Sequence, residues 1–458
     1  MVKTAVILAA GRGSKIWPYG DTWPKAALPI ANWPLIQWQI EAMQSCGVEN
    51  FIVVVDHLAG QIRSAVTEYE AVECIEQPRA SGTAEALLHA LDYVEDEKFL
   101  VVNGDTLFTE EDMGALLELA RNNPEPCALV QALGTLPPNE WLCANLEEDS
   151  IKEIWGHPRE STHRLCGIYV LNRDMVPYLE NHPGFMISVE VGAMPPQEFE
   201  LAESLSQFIK AGGAVAAIET QELFVDIDKP WHLLDANSAF LNYLGAKLSG
   251  NELAAGAVIE EGAEIEGFVV MGENAFIGHD VKIKGNLWIG ANSKVIDGAI
   301  IGSNSCIGEK TIIREYCRVE ENTSIGSNCI VGHGAEVGGI LMDGAYSFHY
   351  GEYWGIIGRS ADLGAATVCG NLRFDDQKTV HRTKGRKETP TTNSVNAAYM
   401  GDYTRTGVNT ILMPGVRIGA YSVVGAGVIL NEDLPNNSLI YVKQDQVRTT
   451  WGPDKYGW

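Results

Sequence analysis

The chain has 458 residues, 46% of them hydrophobic and 20% charged, with a formal net charge of −27. That length exceeds one typical core, so two or more domains are expected. Acidity on this scale argues against a nucleic-acid partner, which calls for a basic face, and no apolar run reaches the length of a membrane span.

The first element is Ala5–Leu8, a short apolar run suited to a buried strand. It feeds Gly11 and Gly13, where backbone can approach a ligand, then Lys15, then Pro24-Lys25. Free N–H groups with two ammonium ions suit a nucleoside triphosphate, since a local lysine cluster can hold an anion against the overall field. An ordinary strand-turn-helix joint accounts for the two glycines about equally well. The stretch is not a P-loop, because a single residue separates its glycines. Nor is it the dinucleotide fingerprint, because Ile16 stands where the third glycine belongs.

Further apolar runs at Phe51–Val55, Phe99–Val102, Ala128–Val130 and Gly167–Leu171 alternate with amphipathic stretches such as Pro34–Cys46 and Ala84–Val94. The alternation predicts an α/β domain over residues 1–250, with a mainly parallel sheet covered by helices on both faces. In such folds the site lies at the carboxyl ends of the strands. The loops there carry Gln77, whose amide can pair with a pyrimidine edge, and Gly82-Thr83, with Thr83 as cap of the next helix. They also carry Asp105 and Asp226, each just after a strand-like run, the second ahead of a helix through Leu248. A carboxylate in that place is commonly a helix cap, and it also suits Mg²⁺.

From Ile259 onward, every sixth residue up to Val337 is aliphatic or Met. A period of six sustained this long predicts a hexapeptide β-helix, here over residues 251–440 with a tail at 441–458. The phase breaks near residues 338–355 and again at about 371–398. Both breaks are read as insertions and so as site candidates. The second contains a basic cluster, Lys384, Arg386 and Lys387, suited to CoA or sugar phosphates and equally to a solvated loop. Nine scattered cysteines without CxxC spacing read as reduced thiols of a cytoplasmic protein.

The run Leu8-Ala9-Ala10-Gly11-x-Gly13-x-Lys15, followed by Pro24-Lys25, resembles the signature of the sugar-1-phosphate nucleotidylyltransferases, with Lys15 where that family usually has Arg. The resemblance implies that Leu8, Ala10, Gly11, Gly13, Gln77, Gly82 and Thr83 bind nucleotide, that Lys15 and Lys25 are catalytic, and that Asp105 and Asp226 hold Mg²⁺. Asp228, where many relatives have Gly, receives no role. The sugar half departs from the family. Gly156-His157-Pro158 replaces Glu-Lys-Pro, Trp141-Leu142 replaces Tyr-Gly, Leu165-Cys166-Gly167 replaces Asn-Ala-Gly, and Gln197-Glu198-Phe199-Glu200 replaces a late acidic motif. His157, able to carry a partial positive charge, with Glu198 and Glu200, are the candidate sugar-binding residues.

In the second half, Asn371-Leu372-Arg373-Phe374, Gly401-Asp402 and Met413-Pro414-Gly415 resemble the acetyltransferase half of the GlmU-like bifunctional enzymes. That resemblance implies a left-handed coil, a homotrimer and acetyl-CoA as co-substrate. It implies His349 as base, with a one-residue gap in its motif, and Asn371 as the group that orients the amine or polarises the thioester. The expected architecture is a Rossmann-like (GT-A-like) nucleotidyltransferase domain followed by a left-handed parallel β-helix. The expected function is a nucleotidylyltransferase using UTP or dTTP and a sugar-1-phosphate, with an N-acetyltransferase behind it. A nucleotide-sugar-binding regulatory protein is the alternative that the altered sugar side leaves open.

Overall fold

The computed structural model describes residues 2–78, 81–182, 199–388, 390 and 392–456. The first half is built on a nine-stranded sheet. Thr4–Leu8 lies inside it, parallel to Asn50–Val55 on one side and Lys98–Asn103 on the other, and Val72–Glu76 extends the parallel edge. Both faces of the central strand are covered, which explains its unbroken apolar spelling. Val6, Leu8, Val54 and Val101 pack on one face; Ala5, Ile7, Val53 and Val102 pack on the other.

The sheet is mixed where a mainly parallel one was expected. His163–Asn172 runs antiparallel to both Lys98–Asn103 and Cys127–Ala132, and Leu142–Glu147 pairs antiparallel with Ser150–Gly156. The cause is local. Between Ala132 and His163 there is a hairpin and no crossover helix, and a hairpin connection yields antiparallel neighbours.

The second half is a coil of strands two to three residues long, paired in parallel with a shift of eighteen, as in Met271↔Ile289↔Ile307↔Ile325. The hexad residues from Met271 to Val337 are each 2% exposed or less, so the period in the sequence is the period of the core. Ile259 and Ile265 close the open end and are only partly buried.

The first break in phase is not an insertion. The steps Val337 to Leu341 and Tyr353 to Ile357 are four residues long, and the register tightens to Ile325↔Leu341↔Ile357. Two corners are missing, so Ala335–Leu341 and Gly351–Ile357 run straight as seven-residue strands. Gly355 permits this, because a Cβ there would meet the Ala398 carbonyl oxygen at 1.9 Å. The second break is a true insertion, across which Ile357 pairs with Met400.

The missing corners seat the first half. Ile340, Ile356, Ala397 and Tyr399 face outward and join one apolar cluster with Trp231, Leu234 and Phe240 of the helix Pro230–Lys247. Polar groups fix the contact: Asn32 donates to the Ile325 carbonyl at 2.8 Å, Tyr19 to the Ile356 carbonyl at 3.2 Å, and Ser324 to Asn237 at 2.7 Å. The docking holds the coil's insertion against the loops at the carboxyl edge of the sheet.

Candidate active site

At that edge, past the ends of Thr4–Leu8 and Lys98–Asn103, opens a cleft of about 740 Å³. Leu8, Ala10, Gly11, Gln77, Gly82 and Thr83 line it together with Lys25 and Asp105. Gly13 does not line it. Its φ is +59°, and a Cβ there would sit 3.2 Å from Lys25 Cγ, so Gly13 makes room for the lysine stem. Gly82, at φ +132°, precedes the helix Thr83–Ala90; a Cβ there would meet Phe199 backbone at 2.5 Å. Thr83 is therefore the first helical residue, not the cap. Its hydroxyl donates to Glu200 Oε2 at 3.0 Å and accepts from the Leu201 N–H at 2.9 Å, tying the start of another helix to the cleft. Glu200, expected on the sugar side, lies on the nucleotide side. Glu198 falls outside the described residues.

The charges converge on Lys25. Its Nζ donates to Asp105 Oδ2 at 2.8 Å and to Asp228 Oδ1 at 3.1 Å. Asp228 Oδ2 also accepts from Lys15 at 3.1 Å and from Lys229 at 3.0 Å. Asp228 is thus the hub of three lysines, a role the sequence reading did not give it. One signal was available: Asp226 and Asp228 are two apart on extended backbone and so share a face. Burial alone would raise the Asp228 carboxyl, but Lys25, Lys15 and Lys229 hold it well below its ordinary value. Burial likewise works against the Lys25 ammonium, and Asp105, Asp228 and Asp226 outweigh it, so Lys25 stays charged.

Val225–Asp226 pairs antiparallel with Thr106–Leu107, setting Asp226 opposite Thr106, and the Ile227 N–H donates to the Asp105 carbonyl at 2.8 Å. Two carboxylates from distant parts of the chain therefore meet beside Lys25. Burial, and then the charge of Asp105, push the Asp226 carboxyl up. Hard oxygen donors that repel one another fit a divalent cation, whose charge would reverse that shift. Among the described residues no group of three or more His, Cys, Asp or Glu is arranged for a metal. Two carboxylates suit Mg²⁺ that is completed by phosphate oxygens and water.

A second cavity, of about 150 Å³, is lined by Trp141, Arg164, Asp226, His232 and, from the coil's insertion, Thr392. Arg164 is buried, with its guanidinium 4.1 Å from the Trp141 ring and 4.9 Å from Phe224. It supplies a cation on the side where the family's Glu-Lys-Pro is absent, and the sequence reading passed over it. His157 is exposed and lines neither cavity, its Nδ1 3.2 Å from the Asn139 carbonyl oxygen. Desolvation of the ring, with the charge of Lys15, lowers its pKa. That shift works against the partial positive charge expected of it near neutral pH.

On the coil, His349 and Asn371 are both exposed, and among the described contacts no hydrogen bond joins them. The His349 ring stands edge-on to Phe348 at 5.1 Å. The basic cluster of the insertion is not confined to this neighbourhood: Lys384 lines the 740 Å³ cleft of the first half. Among the described residues no helix is long and apolar enough to cross a membrane.

Residues 4–242 match the nucleotidyl transferase family, and residues 280–315 match the bacterial transferase hexapeptide repeats. The chain is similar to a bifunctional protein GlmU of Methanococcus maripaludis at 35% identity, over 97% of this chain and 98% of that protein. It is similar to the GlmU of Methanococcus vannielii at 32%, over 97% and 98%. It is similar to a bifunctional sugar-1-phosphate nucleotidylyltransferase/acetyltransferase of Sulfurisphaera tokodaii at 28%, over 94% and 98%. With a nucleotidyltransferase cleft in front and a hexapeptide coil behind, the chain belongs to the nucleotidyl transferase family and, over nearly its whole length, to the GlmU-like bifunctional nucleotidyltransferase/acetyltransferases.

Proposed function

We propose that the first half, residues 1–250, transfers a nucleotidyl group from UTP or dTTP to a sugar-1-phosphate. We propose further that the coil, residues 251–440, transfers acetyl from acetyl-CoA to an amino sugar within a homotrimer. In the first reaction a sugar-phosphate oxygen attacks the α-phosphorus in line. The bond to the β-phosphate bridging oxygen breaks, and pyrophosphate leaves with the electron pair. Lys25 meets the α-phosphate and Lys15 the leaving pyrophosphate, each exchanging Asp228 for phosphate oxygens. Gln77 pairs with the pyrimidine edge. Leu8, Ala10, Gly11, Gly82 and Thr83 wall the nucleotide, with Gly13 behind them. Asp105 and Asp226 would hold Mg²⁺, which when bound offsets charge on the phosphate oxygens. Arg164 and His157 contact the sugar phosphate, and Glu200 holds Thr83 in the nucleotide wall. In the second reaction His349 takes the proton of the amine as its nitrogen attacks the thioester carbonyl, Asn371 polarises that carbonyl, and the CoA thiolate leaves.

One observation carries the reading of the first half: Lys25, bonded to Asp105 at 2.8 Å, lines a cleft at the carboxyl edge of the sheet. The test is pyrophosphate release from UTP and dTTP against a panel of sugar-1-phosphates, with acetyl-CoA consumption followed in parallel. Release with one partner supports the reading; release with none removes the first activity. The replaced Glu-Lys-Pro favours a second reading, a nucleotide-sugar-binding regulator, which would bind UDP-sugar tightly and release no pyrophosphate.

A further inference from the structure

The coil's insertion carries a hairpin, His381–Thr383 paired antiparallel with Arg386–Glu388. Its root is buried and held from both halves of the chain. The His381 ring, 3% exposed, lies 4.7 Å from the Trp231 ring. Glu388, 7% exposed, lies 3.9 Å from Lys229 Nζ. From the coil, Arg417 donates to the Arg382 carbonyl at 3.0 Å. A carboxylate buried this deeply needs a cation beside it, and Lys229 belongs to the loop that carries Asp226 and Asp228. The hairpin is therefore fixed to the walls of the first site.

Its tip is the two-residue turn Lys384-Gly385, with φ of +50° and +82°. Positive φ at both central residues is the type I′ turn, which favours Asn or Gly at its first position. Lysine gains nothing there as backbone. As a side chain it lines the nucleotide cleft with Gly11, Arg12 and Lys25. Two residues further on, Arg386 Nη2 donates to the Asn139 carbonyl at 3.4 Å, the same oxygen that His157 meets at 3.2 Å. His157 stands where the Lys of Glu-Lys-Pro is missing. One hairpin thus brings Lys384 to the cleft and Arg386 beside His157.

We infer that this hairpin completes the nucleotidyltransferase site across the domain boundary, with Lys384 a contact for the triphosphate and Arg386 the cation for the sugar phosphate. The inference rests on the first reaction proposed above, and it makes the two halves of the chain one functional unit.

The test uses the full chain, with UTP–Mg²⁺ binding by calorimetry and pyrophosphate release with the sugar-1-phosphate that the parent turns over best. Lys384→Asn is the informative variant, because Asn-Gly suits the turn better than Lys-Gly. Its melting temperature is expected to hold or rise while UTP binding weakens about tenfold, the scale of one charge-assisted phosphate contact. Lys384→Arg should restore most of the binding. Arg386→Ala should raise KM for the sugar phosphate about tenfold with KM for UTP nearly unchanged. Arg382→Ala, which removes a charge from the same hairpin away from the cleft, should match the parent.

Lys384→Asn and Arg386→Ala variants indistinguishable from a parent that binds UTP and releases pyrophosphate would overturn the hairpin inference alone. A changed KM for acetyl-CoA with unchanged UTP binding would also overturn it, assigning the cluster to the other activity. A parent that binds neither UTP nor dTTP would bring down the proposed first reaction, and the hairpin's role with it.

Discussion

Around Lys25, ion pairs of 2.8–3.1 Å bind three lysines and two aspartates into one half-buried cluster. Around His349 and Asn371, by contrast, exposed side chains stand beside the coil's missing corners and its insertion. The first arrangement is preorganised: its charges already hold their positions, so a phosphate replaces one partner and little has to reorganise. In the second, no hydrogen bond among the described contacts joins the two side chains, and the neighbouring Arg373–Asp375 pair at 2.8 Å is exposed. Charge held by charge at the edge of a sheet can be read as chemistry from one chain alone, whereas a residue on an exposed corner needs its substrate to define it.

The sharpest way to break that contrast is to remove the hub cation. Lys25→Met keeps most of the stem and takes away the ammonium. The nucleotidyltransferase rate should fall by about 10³–10⁵-fold, the range seen when a cation facing a transferring phosphoryl group is lost. Steady-state pyrophosphate release with the folded variant checks it, and a fall of less than tenfold would move the chemistry away from Lys25. Next in size is the seat that joins the two halves. Trp231 is 2% exposed and packs in the cluster with Ile340, Ile356 and Tyr399 while its ring meets His381. Trp231→Ala should cost about 3–5 kcal/mol. If the halves are one cooperative body, denaturant unfolding followed by probes in each half should shift together. A shift confined to the first half would show the seat to be incidental.

These effects sit unevenly against what the sequence displays. The coil was legible because its signal is local and repeated: from Ile259 to Val337 every sixth residue is aliphatic or Met, and no side chain elsewhere is needed to interpret it. The strand ends bearing Asp105 and Asp226 were legible because the glycine and acidic motifs sit just past apolar runs. Asp228 was not, since its role comes from lysines at positions 15, 25 and 229 that only the fold assembles. The shortened corners at 338–340 and 354–356 registered as a lost phase, yet loss of phase alone does not tell two deleted corners from an insertion. Ile340 and Ile356 carried the missing clue, as apolar residues out of step with the hexads that must be covered by something. The hairpin was visible as a basic cluster, but its destination depends on which side of the coil the first half docks.

A smaller effect follows from His232, beside the same cluster. Burial, and then the charge of Lys229, push its pKa down to about 3, and its Nδ1 accepts from the Asp228 N–H at 3.3 Å. A histidine depressed in the folded state takes its proton first in the unfolded chain. Its contribution is therefore intact above the unfolded value, about 6.5, and is lost as pH falls toward 3. His232→Asn keeps an acceptor near Nδ1 and removes the titration. Urea midpoints measured across pH 7 to 4 should decline less steeply in the variant than in the parent. Parallel slopes would mean that the imidazole is protonated in place, and that the lysines around Asp228 are less crowding than their distances indicate.

The smallest expected effect lies inside the coil, at the one hexad position of its last turns where the count lands on a hydroxyl. The Gly364 N–H donates to Thr406 Oγ1 at 3.0 Å, the two threonine hydroxyls are 2.7 Å apart, and Thr367 Oγ1 donates to the Gly364 carbonyl at 2.8 Å. Because the Thr367 proton is committed to that carbonyl, Thr406 must donate to Thr367, and the three groups close a ring. Thr406→Val keeps the volume and leaves the Gly364 N–H its second acceptor, the Thr406 carbonyl at 3.1 Å. The loss should be about 1 kcal/mol by chemical denaturation. Adding Thr367→Val should cost less than the two single changes summed, because the second hydroxyl has already lost its donor. Strict additivity would show that the hydroxyls act independently and that Thr406 holds its place by shape, like the aliphatic residues above and below it.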